Sequence, residues 1–125
     1  MLALQEFQRD PIRSVFGATL GRGCFSEMRI GTDGVMTGGT MHGDVYARLW
    51  QLYLEGRHIE LRECYSKLLV IQNLDTLMPG VRLYVLPKRG AFKTTNSRRK
   101  EYSFSEQQIA EIEYLLEALK QYMSV

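Results

Sequence analysis

Residues 31–39 read Gly-Thr-Asp-Gly-Val-Met-Thr-Gly-Gly, a short apolar pair with glycine on both sides. Val35 and Met36 are the body of a short strand, and Gly38-Gly39 break it, since glycine weakens a ladder and favours a turn. Just upstream, Cys24, Phe25, Met28 and Ile30 carry the apolar side of a short helix that Gly31 ends. Leu20 to Gly23 forms a glycine-rich turn before that helix. Further upstream, Arg13-Ser-Val-Phe-Gly-Ala reads as a buried strand in which Val15 and Phe16 form an apolar patch that stops at Gly17. The order is strand, turn, helix, strand.

Downstream the apolar period becomes helical. From Asp44 onward, Val45, Leu49, Leu52 and Tyr53 share one face and Gly56 supplies the stop. A second helix is predicted over 58–73, with Leu61, Cys64, Tyr65, Leu68 and Leu69 turned inward and Arg57, Glu60, Arg62 and Glu63 turned outward. Residues 81–86 alternate like a strand but follow Pro79-Gly80 as a helix would, and helix is favoured. The last element starts at a capping box, Ser105 with Gln108, with Phe104 stapled onto Ile109. Ile109, Ile112, Leu116 and Leu119 then form its apolar stripe. Trp50, Tyr46 and Tyr53 read as helix-packing residues, and there is no internal repeat.

At 125 residues, 45% hydrophobic and 24% charged, the chain is expected to fold as one globular domain, residues 1–125. Apolar runs such as Cys64 to Val70, interrupted by Lys67, fall short of the ~20 residues a membrane helix needs, so no membrane partner is expected. Met1 to Phe7 carries no basic leader or secretory apolar run, which points to a cytoplasmic protein with Cys24 and Cys64 reduced. A net charge of +2 does not call for a polyanion. The basic stretch Lys88-Arg89, Lys93 and Arg98-Arg99-Lys100 lies in a polar connection without aromatic stacking partners, so it reads as a solvated loop and no nucleic acid is expected. His42 and His58 with Cys24 and Cys64 do not fall at metal-ligand spacings; surface or helix-flanking roles suffice, and neither metal nor cofactor is expected. The Gly17 to Gly23 turn lacks the lysine and hydroxyl that complete a phosphate loop.

The sequence of elements resembles strands seven and eight of the dihydrodipicolinate synthase/N-acetylneuraminate lyase family of class I aldolases. The residues that carry the resemblance are Val15-Phe16-Gly17, Gly31 with Gly34-Val35-Met36-Thr37-Gly38, and Leu52-Tyr53-Leu54-Glu55-Gly56. It covers roughly residues 12–120 and continues into the helices that family members place after the barrel. Two features depart from the family: the segment between Pro79 and Gly90 is shortened, and the basic loop at 98–100 has no clean match.

The resemblance implies an α/β fold, the C-terminal fragment of a (β/α)8 TIM barrel with residues 1–56 as the partial barrel and 57–125 as C-terminal helices. A whole barrel typically takes ~250 residues. The resemblance also implies that the N-terminal side, with its Schiff-base lysine and proton-shuttling tyrosine, is absent, so no catalytic residue is assigned in this chain. Lys93-Thr94-Thr95-Asn96-Ser97 is superficially like the family's lysine motif, yet it lies after strand eight in a polar segment and reads as a solvated lysine. At barrel-mouth positions the resemblance places Gly17, Met36, Thr37 and Gly38 as substrate-binding residues: glycine backbone close to the ligand, Met36 as a wall, Thr37 as a donor. Turn glycines and a core methionine account for the same residues equally well. Three functional readings follow: an inactive fragment that buries its open strand by self-association; half of a split aldolase or dehydratase acting on pyruvate or a related 2-oxo acid with a complementary barrel half; or a small helical interaction protein.

Overall fold

The computed structural model describes residues 13–38 and 40–124. The leader reading at Met1 to Phe7 and the Gly39 half of the strand break lie outside them. The chain divides between Thr40 and Met41 into two compact units.

The first unit contains β1 (Phe16–Leu20), α1 (Cys24–Arg29) and β2 (Gly34–Thr37). The strands pair in parallel with Phe16 opposite Gly34, Gly17 opposite Val35 and Leu20 opposite Thr37, and the ladder is irregular between Gly17 and Leu20. Helix α1 packs on both strands and buries Cys24, Glu27 and Met28. Gly31, at φ +86, ends it as expected: its N–H bonds the Met28 carbonyl while Thr32 N–H bonds that of Glu27, the glycine-stopped closure of a helix C-terminus. One expectation for β1 is overturned. Phe16 is 55% exposed and Gly17 is the buried position, because Gly17 points to α1 and alternation sends Phe16 to the face of the sheet opposite that helix.

The second unit is helical. A 3-10 turn, Thr40–His42, leads into α2 (Gly43–Leu54), followed by α3 (His58–Leu77), α4 (Val81–Lys88), α5 (Glu106–Leu119) and a final 3-10 turn, Lys120–Tyr122. Helix α3 packs against α2, α4 and α5. Its buried line is Leu61, Cys64, Leu68, Ile71 and Gln72, one turn longer than the pattern predicted, with Tyr65 and Leu69 only half-buried at its margin. Segment 81–88 is helix, as favoured, since Gly80 at φ +97 turns the chain and Val81, Val85 and Leu86 then fall on one buried side. The capping box of α5 is present in both directions, Gln108 N–H to Ser105 Oγ at 3.2 Å and Ser105 N–H to Gln108 Oε1 at 2.9 Å. Ile112, Leu115, Leu116 and Leu119 are its buried stripe; Leu115 joins the expected set, and Ile109, expected in it, is only half-buried one turn earlier. No helix of the described residues is long and apolar enough to cross a membrane.

Arg89, counted with the basic loop in the sequence, is instead the C-terminal cap of α4 and mostly buried, with 14% of its side chain exposed. Residues 91–105 have no helix or strand, and Lys93, Arg98, Arg99 and Lys100 are exposed.

The turn between α3 and α4 gives a test of this packing. A Cβ on Gly80 would sit 2.4 Å from Tyr102 Cγ, whereas one on Gly56, also left-handed at φ +71, meets nothing. Gly56→Ala is expected to cost about 1 kcal/mol from backbone strain, and Gly80→Ala about 2–4 kcal/mol because the tyrosine ring must also move. Urea unfolding of the two variants measures the difference; equal costs would show that the ring does not pack on the turn.

Candidate functional site

The expected site residues lie at the ends of the two strands, where sidedness divides them. The Cβ direction of Gly34 points at the Phe16 ring and that of Gly38 at the Leu20 side chain, so these residues share one face of the sheet. Met36, between the two glycines, alternates onto that face and is 61% exposed. The Cβ direction of Gly17 points the other way, into α1. Thr37, adjacent to Met36 in the strand, alternates to the side of Gly17 and is half-buried. Met36 and Gly38 are thus brought together with Phe16 and Leu20 on an open apolar face, and Gly17 and Thr37 are turned from it.

What fills the space over Gly17 is Glu27, which the sequence reading passed over. Its carboxylate carbon lies 2.1 Å from where a Gly17 Cβ would be, and the residue is 5% exposed. Oε1 accepts from Thr19 N–H at 3.3 Å, in the stretch where the ladder is irregular, and no described residue donates to Oε2. A carboxylate is an acceptor-only group, and here it closes the end of β1 from the side. A signal for it existed: Glu27 is three residues after Cys24 and adjacent to Met28, within the stripe that α1 buries. An acid there needs a local donor.

The turn after β1 is strained. Leu20 has φ +58, a left-handed conformation that costs a branched residue about 1–2 kcal/mol. It is held by Gly38 N–H bonding its carbonyl at 3.2 Å, and the turn by Gly23 N–H bonding Thr19 Oγ1 at 2.8 Å. Strain of this kind, next to an irregular ladder, concentrates at sites where the backbone is aimed at something. Cys24 brings no nucleophile to this place. Burial first, and the charge of Glu27 second, push its thiol up to about 11, so it stays protonated at neutral pH.

Nor does any lysine. The chain's five lysines all follow residue 66. Four of them, Lys88, Lys93, Lys100 and Lys120, are exposed, and Lys67 is half-buried with its Nζ 5.7 Å from the Tyr122 ring centroid. Lys88 pairs with Glu113 at 2.5 Å and Lys120 with Glu117 at 3.2 Å. An amine that attacks a carbonyl must be held unprotonated by an apolar pocket, and none of these is so placed. A cleft of about 400 Å3 lined by Lys88, Arg89, Glu113, Leu116 and Lys120 has its cations already in these pairs. Among the described residues no three His, Cys, Asp or Glu side chains are grouped to hold a metal ion.

In the helical unit, Asp44 collects three chain segments. Its Oδ2 pairs with the Arg89 guanidinium and accepts from Ser124 N–H at 2.9 Å, and Arg89 also donates to the Met41 carbonyl. Burial pushes this carboxyl up, but Arg89 and the amides of Ser124 and Val45 outweigh it and hold it at about 2. His42 flanks α2 as expected but is not on the surface: it is 0% exposed, and no described residue bonds either ring nitrogen.

No family model matches the chain. No curated protein matches it either. Among solved structures the chain is similar to a dihydrodipicolinate synthase from Rhodopseudomonas palustris, with TM-score 0.76 and 27% sequence identity across 93% of this chain. The chain spans 40% of the length of that protein. The likeness expected from the residue motifs is therefore met in the fold, over that part.

A double substitution tests the Gly17–Glu27 contact. Gly17→Ala alone is expected to destabilise the first unit by about 2–3 kcal/mol through overpacking, and Glu27→Ala alone by about 1–3 kcal/mol through the orphaned Thr19 N–H. Together they should cost at least about 1 kcal/mol less than the sum, because the methyl then enters vacated space. Amide exchange at β1 and β2 gives the cycle; strict additivity would mean that the two groups do not touch.

Proposed function

We propose that this chain is the C-terminal part of a dihydrodipicolinate synthase-like aldolase barrel, corresponding to strands seven and eight, their helices and the helices appended after the barrel, and that it has no lyase activity by itself. The observation that carries this reading is the distribution of lysines: none precedes residue 67 and none is buried, so a carbonyl-capturing amine is lacking. The fold likeness to a dihydrodipicolinate synthase supports the parentage. The reaction of the complete protein, on this reading, is Schiff-base lyase or dehydratase chemistry on pyruvate or a related 2-oxo acid.

Within such a barrel Met36 and Gly38, on the open face, wall the substrate space. Thr37, next in the strand, is turned to the side of Gly17 and supports that wall from behind. Gly17 contributes backbone close to the ligand and leaves room for Glu27 behind it. A specific observation favours completion by other strands: the two-stranded parallel sheet leaves Phe16, Leu20 and Met36 uncovered at 55%, 51% and 61% exposure. Parallel sheets are stable when covered on both faces. The occupant is a complementary barrel half or a second copy of this chain; recruitment of the helices as a plain interaction surface is the remaining reading.

Borohydride reduction in the presence of pyruvate tests the proposal. No reduced adduct is expected on this chain alone, and an adduct on the other polypeptide is expected once the N-terminal portion of such a barrel is added. Labelling on this chain alone would overturn the reading.

A further inference from the structure

Independently of any aldolase reading, the helical unit contains a buried group that the proposed chemistry does not use. His42 ends the 3-10 turn Thr40–His42, the segment by which the chain enters its helical unit, and caps α2. It is fully buried, and neither ring nitrogen meets a hydrogen-bonding partner among the described residues. A polar ring in that state is tolerated only while neutral, since an unpaired buried charge is far more costly than an unpaired neutral dipole.

The charged groups facing it come from three helices. Asp44 lies in the first turn of α2, Arg89 caps α4, and Asp75 belongs to α3. Both carboxylates are already committed, Asp44 to Arg89 and Asp75 to Arg82 at 2.5 Å. Of the charges that act on an imidazolium there, the guanidinium of Arg89, of the same sign, has the largest influence, and Asp44 and Asp75 oppose it. That guanidinium also holds the carbonyl of Met41, the residue immediately before the histidine.

We propose that His42 is an acid-sensitive latch: uncharged it is seated in the core and lets Arg89 clasp the turn, and on protonation its ring is expelled, which opens the turn and frays the start of α2. The direction of its titration agrees. Burial, and then the charge of Arg89, lower its pKa from 6.5 to about 4, with Asp44 and Asp75 opposing. The opened form binds a proton that the closed form excludes, so closure is fully stable above about pH 6.5 and weakens as pH falls toward 4. Asp44, held at about 2, stays charged throughout this window, so its pairing is not what gives way.

The test is amide exchange at Val45 and Tyr46, corrected for intrinsic rates, in the full chain and in His42→Phe. Between pH 7.5 and pH 5 the opening constant of the wild-type protein should rise about thirtyfold, while that of the phenylalanine variant stays unchanged. Equal pH dependence in both overturns the latch. Should His42→Phe fail to fold, ring NMR of the wild-type protein decides, with exposed His58 as the second signal in the same spectrum. A His42 ring still neutral at pH 5.5 while these amides are protected supports the proposal. A ring already protonated at pH 5.5 while they remain protected refutes it.

Discussion

The pairing of Arg89 with Asp44 is the constraint on which the helical unit is arranged. These residues are 45 positions apart, and Ser124, which joins them on the same carboxylate oxygen, is 80 positions from Asp44. One carboxylate therefore ties the beginning of α2, the end of α4 and the tail of the chain. Both side chains are largely withdrawn from water, with 14% of Arg89 and 18% of Asp44 exposed. A pair in that environment adds little net stability, because desolvation offsets much of the attraction. Its effect is selective: an arrangement of helices that separates the two leaves a charge alone in the interior, which costs about 3–5 kcal/mol. The apolar lines of Leu49, Leu61, Leu68, Ile71, Ile112 and Leu119 supply the cohesion, and the polar tie selects one packing of them.

The helices were legible because their causes are local. Gly31 and Gly56 end them with bonds reaching no farther than five residues, and Ser105 and Gln108 start another across three. Spacing also found Val45, Leu49 and Leu52, since a period of 3.6 places them on one side whatever they pack against. Phe16 was misjudged for the converse reason. Alternation shows that it and Gly17 face opposite ways, but not which way is covered, and here the glycine faces α1 while the phenylalanine faces outward. The pairing of Arg89 with Asp44 is not legible because nothing near either in sequence marks a partner 45 positions away, and the burial of His42, whose helix-flanking place is legible, depends on the same distant packing. Glu27 lay between the two kinds: its place in the buried stripe of α1 was readable, whereas the glycine that makes room for it lies ten residues upstream on another element.

At the strand ends, the expected residues Gly17, Met36, Thr37 and Gly38 are gathered within a few residues of sheet but face opposite sides of it. Chemistry at that place is limited by what the chain holds there. Among its described residues the first unit offers two carboxylates engaged with backbone, a thiol kept protonated, hydroxyls and guanidinium groups, with no lysine among them. The fold likeness spans 40% of the length of a dihydrodipicolinate synthase, and on the proposed reading the strand-end residues border a binding space that this inventory leaves without a bond-making amine.

The uncovered side of β1 and β2 also bears on how the protein behaves in solution. Three large apolar side chains on a two-stranded ribbon, with unpaired backbone along its outer edges among the described residues, form a template onto which extended chains can add. Colloidal lifetime then depends on concentration, and dilution or an early encounter with the right mate protects the molecule where its own surface charge, a net +2, provides little repulsion.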